Sequence, residues 1–223
     1  MSTELPKLTT TSYAVLGLLA IRPWTTYELI QQMGRGIDRL WPRSRSKLFE
    51  EPKKLVAHGL AESTAGRVGR RPHTQYAITD AGRHTLAGWL ARASQPPALE
   101  SEHLLKVFFA EHGTKSDLLG TVNALRAWAD ADLTVHATVA RTYLAGLGPF
   151  PQRAAVLALT ARYLVDLADM TRRWADWAAG VVEAWPADIT SAEPDWDTYQ
   201  AVANWNDQEA RRRPRPRAAP PPR

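Results

Sequence analysis

The chain alternates between stretches whose apolar positions recur every three or four residues and shorter stretches where they alternate, and the change of period divides it into elements. In Ser12–Ala20, Val15, Leu16, Leu18 and Leu19 form a helical stripe that Arg22-Pro23 closes. Thr26 is the expected cap of a second helix reaching Met33, with Glu28 in its first turn and Gly34-Arg-Gly36 ending it. A third helix is expected from about Arg45 to His58, stopped by Gly59. Leu60–Ala65 is then short and half apolar, Gly66–Pro72 is rich in turn formers, and His73–Thr79 alternates polar and β-forming residues. That pattern predicts a two-stranded hairpin with a basic tip. Thr79 or Asp80 opens a further helix carrying Leu86, Trp89 and Leu90.

The adjacent prolines of Ser94-Gln-Pro-Pro-Ala mark a domain boundary, and the chain beyond them reads as helical. Ser101 starts a helix ended near Gly113, and Ser116 starts a long one reaching Gly146. A third runs from about Gln152 to Trp185, where Pro186 stops it. On it, Leu157, Ala161, Leu164, Ala168, Ala175, Ala178, Val182 and Trp185 form one stripe, and Tyr163, Leu167, Met170, Trp174, Trp177 and Val181 form a second. Two stripes exceed what one neighbouring helix covers, so a partner chain is expected on this face. The expected organisation is a domain over 1–93, a linker over 94–100 and an all-helical dimerisation domain over 101–186. An acidic and then Arg/Pro-rich tail, largely extended and disordered, is expected over 187–223.

Charge sharpens this division. The 223 residues carry a net charge of +5, but residues 1–92 hold 14 basic and 7 acidic side chains, whereas 93–210 hold 8 basic and 16 acidic. Residues 211–223 add six arginines and no acid. One half is suited to a polyanion and the other is not. With no cysteine, disulfide frameworks, thiolate zinc sites and cysteine nucleophiles are excluded. There is no signal-like start and no apolar run of ~18 residues, so a soluble cytoplasmic protein without membrane contact is expected.

Three short helices followed by a hairpin with an arginine-rich tip make a winged helix-turn-helix, whose third helix enters the DNA major groove. At 100° per residue, Leu48, Phe49, Pro52, Leu55, Val56 and Gly59 fall on one side of that helix. Ser46, Lys47, Glu50, Lys53 and Lys54 fall on the other. Arg43, Ser44, Arg45, Ser46 and Lys47 form its leading end, where base edges and phosphates are met. Arg67, Arg70, Arg71 and His73 gather in the wing, giving double-stranded DNA as the expected partner. Pro52 lies inside the helix, where it removes a backbone hydrogen bond, so a kink is expected there. Lys53 and Lys54 therefore weigh less than Arg45 and Lys47. The runner-up is a winged helix whose basic face binds an acidic protein.

Several segments in this order resemble PadR-type transcriptional regulators. They are Tyr13-Ala-Val-Leu-Gly-Leu-Leu, Thr26-Tyr-Glu-Leu, Leu48-Phe-Glu-Glu-Pro-Lys-Lys-Leu-Val-Ala-His-Gly-Leu60 and Arg71-Pro-His-Thr-Gln-Tyr-Ala-Ile-Thr-Asp-Ala-Gly82. The opening of the second half, Glu102-x-x-Leu105-Lys106-x-x-Phe109, is similar to the branch with a virulence-activator-like C-terminal domain. The resemblance implies a homodimeric regulator, with repression the expected mode, placing two winged domains on a palindromic operator. Pro52 departs from the leucine many members carry.

The remaining residues signal little chemistry. His103 and His112 lack metal-ligand spacing, and neither a phosphate-cradling glycine loop nor a nucleophile elbow occurs, so no metal, cofactor or catalysis is expected. Nine tryptophans are many for this length. Trp174 and Trp177, with Trp128 nearby, are candidates to line a pocket for a flat aromatic effector, although packing explains them as well.

Overall fold

The computed structural model describes residues 7–42, 45–68 and 71–205, with backbone alone at 35, 45–47, 67, 68, 71 and 72. The chain divides into two compact units, Met1–Pro97 and Ala98–Arg223.

In the first unit, α1 (Thr10–Ile21) is capped by Thr9, whose side chain accepts from the Ser12 amide, and it buries Val15, Leu16, Leu18 and Leu19. Arg22 then turns extended ahead of Pro23. Trp24 and Thr25 form a two-residue strand, β1, that periodicity is too short to reveal. Trp24 is buried and its indole N–H donates to the Leu18 carbonyl at 2.7 Å, while the Arg22 guanidinium lies 3.5 Å above its ring.

The cap of α2 (Thr26–Gln32) is Thr25 and not Thr26. Thr25 accepts from the Glu28 amide, and Glu28 reaches back to accept the Thr25 N–H at 2.8 Å, a reciprocal box that Thr26 is one residue too late to make. Gly34 and Gly36 do not end the helix. The chain continues as a π turn over Met33–Ile37, closed by the Asp38 N–H on the Met33 carbonyl.

Helix α3 (Arg45–Ala57) runs through Pro52, whose ring is almost fully buried. The expected kink does not break it, because the ring takes a place in the core beside Leu48 and Leu55. Gly59, at φ +69°, ends α3, and the Leu60 amide reaches back to the Leu55 carbonyl.

Strands β2 (Ala61–Val68) and β3 (Arg71–Ile78) pair antiparallel from Ala61↔Ile78 to Val68↔Arg71. Trp24 and Thr25 pair with Tyr76 and Gln75, so the expected two-stranded wing is part of a three-stranded sheet ordered β1-β3-β2. Helix α4 (Asp80–Leu90) starts at the Thr79 cap and returns to α1, where Trp89 stacks on Tyr13 with centroids 5.0 Å apart.

The Tyr-x-Ile-Thr-x-x-Gly ending of the hairpin has a physical reason. Thr79 accepts from the Gly82 amide at 3.1 Å and donates its hydroxyl to the Gly59 carbonyl at 2.8 Å. Its own N–H donates to the Leu60 carbonyl at 3.1 Å. Gly82 sits so close behind that a Cβ there would lie 2.1 Å from the Leu60 oxygen. The motif is a three-way clasp joining the end of α3, the wing and the start of α4.

In the second unit, α5 (Glu102–Phe108) is capped by Ser101 and followed by a 3-10 turn at Ala110–His112. Helix α6 (Lys115–Leu144) is capped by Thr114 with Asp117 in a reciprocal box, so it begins one residue before the expected Ser116. Helix α7 (Ala154–Ala184) returns antiparallel, burying Ala175, Ala178 and Val182 against Leu118 and Val122. Arg126 and Asp176 bridge the pair at 2.7 Å, and Lys115 donates to the Glu183 and Trp185 carbonyls at the end of α7. The first stripe of α7 is buried or half-buried, whereas Tyr163, Met170 and Trp177 of the second are exposed.

The segment after Pro186 was expected to be extended. It holds a 3-10 turn at Ile189–Ser191 and a helix, α8 (Trp196–Ala203), started by the Asp195 side chain accepting the Thr198 amide. The arginine-rich end lies outside the described residues.

Candidate nucleic-acid interface

Three elements of the first unit would present residues to a duplex: α2, α3 and the β2–β3 hairpin. Helix α3 touches α1, α2 and β2, which fixes its axis, and its buried side is Leu48, Pro52 and Leu55. Arg45, Ser46 and Lys47 occupy its first turn, and Arg43 and Ser44, immediately before it, lie outside the described residues. Arg67 and Arg71 belong to the last two register pairs of the hairpin, Arg67↔Pro72 and Val68↔Arg71. Arg70 also lies outside the described residues.

Two positions of α3 depart from the helical wheel. Phe49, expected inside, is 48% exposed. Lys54, expected to face out, has a side chain only 14% exposed and lies 3.7 Å from the equally covered Glu51 carboxylate. A wheel places α3 against one apolar neighbour, but α1, α2 and β2 close around it from several directions. Lys53 does face out, held 3.1 Å from Glu50 on the same helix. His73 stands directly across from Gly66, and the imidazole lies where a Cβ at 66 would come within 2.7 Å of it. A residue with a side chain at 66 would displace the ring.

Two residues on α2 escaped the sequence reading. Tyr27 is exposed in the first turn, and Gln31 donates its amide to the Tyr27 hydroxyl at 2.8 Å, forming a polar ledge on the first helix of the docking pair. Their spacing of four was the available signal.

Beneath α2, the Thr25 amide, the Arg22 guanidinium at 3.0 Å and the Thr25 hydroxyl hold the Glu28 carboxyl below its ordinary range. This fastens the start of α2 to the turn after α1.

In the second unit, Trp174 packs on the Leu118–Val182 core and, with Trp128, lines a groove near α5. Trp177 is outside that lining, so the two tryptophans named together in sequence separate. Among the described residues no group of three or more His, Asp or Glu side chains could hold a metal ion, and no helix is long and apolar enough to cross a membrane.

The first unit is a winged helix-turn-helix, a fold that can set its third helix in a DNA major groove, and the second is a long helical hairpin. Residues 15–88 match the transcriptional regulator PadR-like family, and residues 100–183 match the virulence activator alpha C-terminal domain. The chain thus carries a PadR-like domain followed by a virulence-activator-type C-terminal domain.

The negative transcriptional regulator PadR of Bacillus subtilis strain 168 is 28% identical over 99 residues, 44% of this chain. That alignment spans 54% of the relative, about half its length. The crystal structure of Bacillus subtilis PadR in complex with operator DNA superposes with a TM-score of 0.68 at 19% identity, covering 78% of this chain and 99% of that one. The same protein in complex with p-coumaric acid gives 0.62 over the same shares, at 19% identity. The virulence activator AphA of Vibrio cholerae gives 0.59 at 20% identity, again over 78% and 99%. At these identities the structures establish the shared fold.

Proposed function

We propose that this chain is a sequence-specific DNA-binding transcriptional regulator, without catalytic activity, that acts in the cytoplasm as a homodimeric repressor on an inverted repeat. The observation that carries the reading is where the basic residues fall. Arg45 and Lys47 fall in the first turn of α3 and Arg67 and Arg71 in the last two pairs of the wing hairpin, with Arg43 and Arg70 adjoining them in sequence. Those are the two places a winged helix offers to a duplex.

On this reading Arg45, Ser46 and Lys47, with Arg43 and Ser44, read base edges, while the wing arginines and His73 hold phosphates or the minor groove. Lys53 adds a backbone contact. Lys54 is left to its ion pair with Glu51. Tyr27 and Gln31 join as neutral phosphate donors from α2. The negative regulation and operator binding named for the Bacillus subtilis relative support repression.

Dimerisation is assigned to the face of the α6–α7 hairpin that its own unit leaves open, where Val135, Val139, Leu159 and Tyr163 are exposed. A two-fold dimer then requires a two-fold operator. Gel shifts on a selected site test the reading: Arg45→Ala weakens specific binding by ~1–3 kcal/mol if it pairs with guanine. Equal loss on random duplex would remove Arg45 from the reading set.

A further inference from the structure

Helix α8 is formed yet leaves its apolar side uncovered. Asp195 fixes its start by accepting the Thr198 amide at 3.1 Å, and the rings of Trp196 and Tyr199 lie 5.6 Å apart. Trp196, Tyr199, Val202 and, just past the helix, Trp205 are 61–70% exposed. A helix this short gains most of its stability from burying such a face. The segment is also acidic: residues 186–205 carry Asp188, Glu193, Asp195 and Asp197 and no Lys, Arg or His. It lies beyond the residues that either family match covers.

The complement to this segment is the turn between α6 and α7. Leu144, Leu147, Val156 and Leu159 are 54–88% exposed there. Between Asp132 and Asp166 the chain has no acidic residue, and Arg141 and Arg153 flank the turn without an ion pair among the described residues. The apolar surface at the elbow between α5 and α6 is nearer but a poorer match. Leu105 and Phe109 line it, and so do Glu102 and Asp117. Its lysine, Lys106, is held by Glu102 at 2.8 Å, and its other basic side chain, His112, lies 3.7 Å from Glu111. Acid would meet acid at the elbow, whereas at the α6–α7 turn it meets two arginines.

Reach decides whose turn α8 meets. The 3-10 turn at Ile189–Ser191 rests on the one at Ala110–His112, at the end of the hairpin where Lys115 holds the Glu183 and Trp185 carbonyls. From Ser191, the five residues to Trp196 span at most ~18 Å. The α6–α7 turn stands at the opposite end of α7, whose 31 residues extend ~45 Å. Trp196 and Tyr199 therefore fall short of the turn of their own chain. In two hairpins packed antiparallel, the turn of each lies beside the base of the other, and both contacts form by symmetry. The face assigned to dimerisation, with Val135, Val139, Leu159 and Tyr163, runs on into this same patch.

We infer that α8 docks on the α6–α7 turn of a second copy. Its aromatic side covers Leu144, Leu147, Val156 and Leu159, and its acidic start faces Arg141 and Arg153. The inference rests on the homodimer reading and deepens it, because each copy then holds the other at both ends of the hairpin. Three aromatic side chains add on the order of 400 Å² of burial per copy, about half of what each partner of a standard interface contributes.

The test is cross-linking between copies of the full chain. The sequence has no cysteine, so Val202→Cys takes a single benzophenone label and keeps the aromatic residues. Labelled copies are mixed with isotopically heavy, unlabelled ones, irradiated, and digested for mass spectrometry. Cross-links from position 202 to residues 141–159 of the heavy copies are expected. In sedimentation equilibrium, Trp196→Ala with Tyr199→Ala should weaken dimerisation at least about tenfold. Arg141→Glu with Arg153→Glu should weaken it as well, and adding Glu193→Arg with Asp197→Arg should restore it.

Cross-links confined to one copy, or directed to the α5–α6 elbow, overturn the inference, as does an unchanged dimer affinity in the Trp196, Tyr199 variant. A dimer whose α8 cross-links nowhere on its partner overturns this inference alone. A parent chain that stays monomeric at micromolar concentration overturns the homodimer reading along with it.

Discussion

Replacing Gly82 with alanine tests the clasp that sets the wing on the helices. The added Cβ would sit 2.1 Å from the Leu60 carbonyl oxygen and press on Ile78 at 2.8 Å. The first distance is more than about 1 Å short of normal contact. That oxygen is not free to retreat, because it accepts the Thr79 N–H at 3.1 Å while the Thr79 side chain caps α4. Relief must come from moving the start of α4 or breaking that bond.

Overpacking of this kind costs ~1–3 kcal/mol, and loss of the hydrogen bond adds ~1 kcal/mol. For a unit of this size the sum lowers the melting temperature of the first unit by ~8–32 °C. Gly88 is the control. It lies in the same helix with nothing within 4 Å of its Cβ position, so Gly88→Ala should stabilise by ~0.5–1 kcal/mol. Differential scanning calorimetry of the full chain, which separates the transitions of the two units, reads both variants. If Gly82→Ala melts within a degree of the parent, or the two alanines shift Tm in the same direction, the clasp is not what orders the wing.

Acid should loosen α2. Glu28 is held below its ordinary range by the Thr25 amide, with Arg22 assisting, so its stabilisation is full above ~pH 4.3 and fades as pH falls through the lower folded value. Glu28→Gln should thus lower Tm at pH 7, with the gap to the parent narrowing as pH falls below ~4.3; a gap of constant size across that range would contradict the assignment. Thr25→Ala should destabilise by ~0.5–2 kcal/mol and Thr26→Ala by much less, which urea titration can compare directly. Leu159→Glu with Tyr163→Glu should yield monomers by light scattering with the helical far-ultraviolet signal kept, and an intact dimer would move the interface elsewhere. Gly66→Ala should displace the His73 ring and shift its imidazole NMR signals while the strand register persists.

The sequence carried the order of elements because each has its own period and punctuation: Gly59 after α3, the Gly66–Pro72 turn, and the Pro96-Pro97 pair. It missed what depends on contacts from other parts of the chain. Thr25 outcompetes Thr26 as a cap because Glu28 lies three residues after it, a spacing legible in retrospect, whereas β1 exists only because Tyr76 and Gln75 offer it an edge. Gly34 and Gly36 permit a stop without compelling one, and the π turn satisfies the same carbonyls.

In the candidate interface, the basic positions are visible as composition, but Lys54 and Phe49 exchange expected roles because three elements, not one, enclose α3. Tyr27 went unremarked because it stands off the apolar stripe, and its spacing of four from Gln31 was the one signal that marked it. Trp174 and Trp177 share a stripe, yet only the turn of α7 facing α5 and Trp128 places one of them in the groove.

On the proposed function, the first unit reads a defined duplex as half of a symmetric pair. Repeated selection of random double-stranded DNA by the purified full chain, followed by sequencing of the retained pool, tests it most directly. Enrichment is expected of an inverted repeat with half-site centres about one helical turn apart or a multiple of it, ~34–36 Å per turn. Arg45→Ala should relax the base preference in each half-site. A pool that stays random while binding remains salt-sensitive would contradict the claim and leave a basic winged helix that meets an acidic protein.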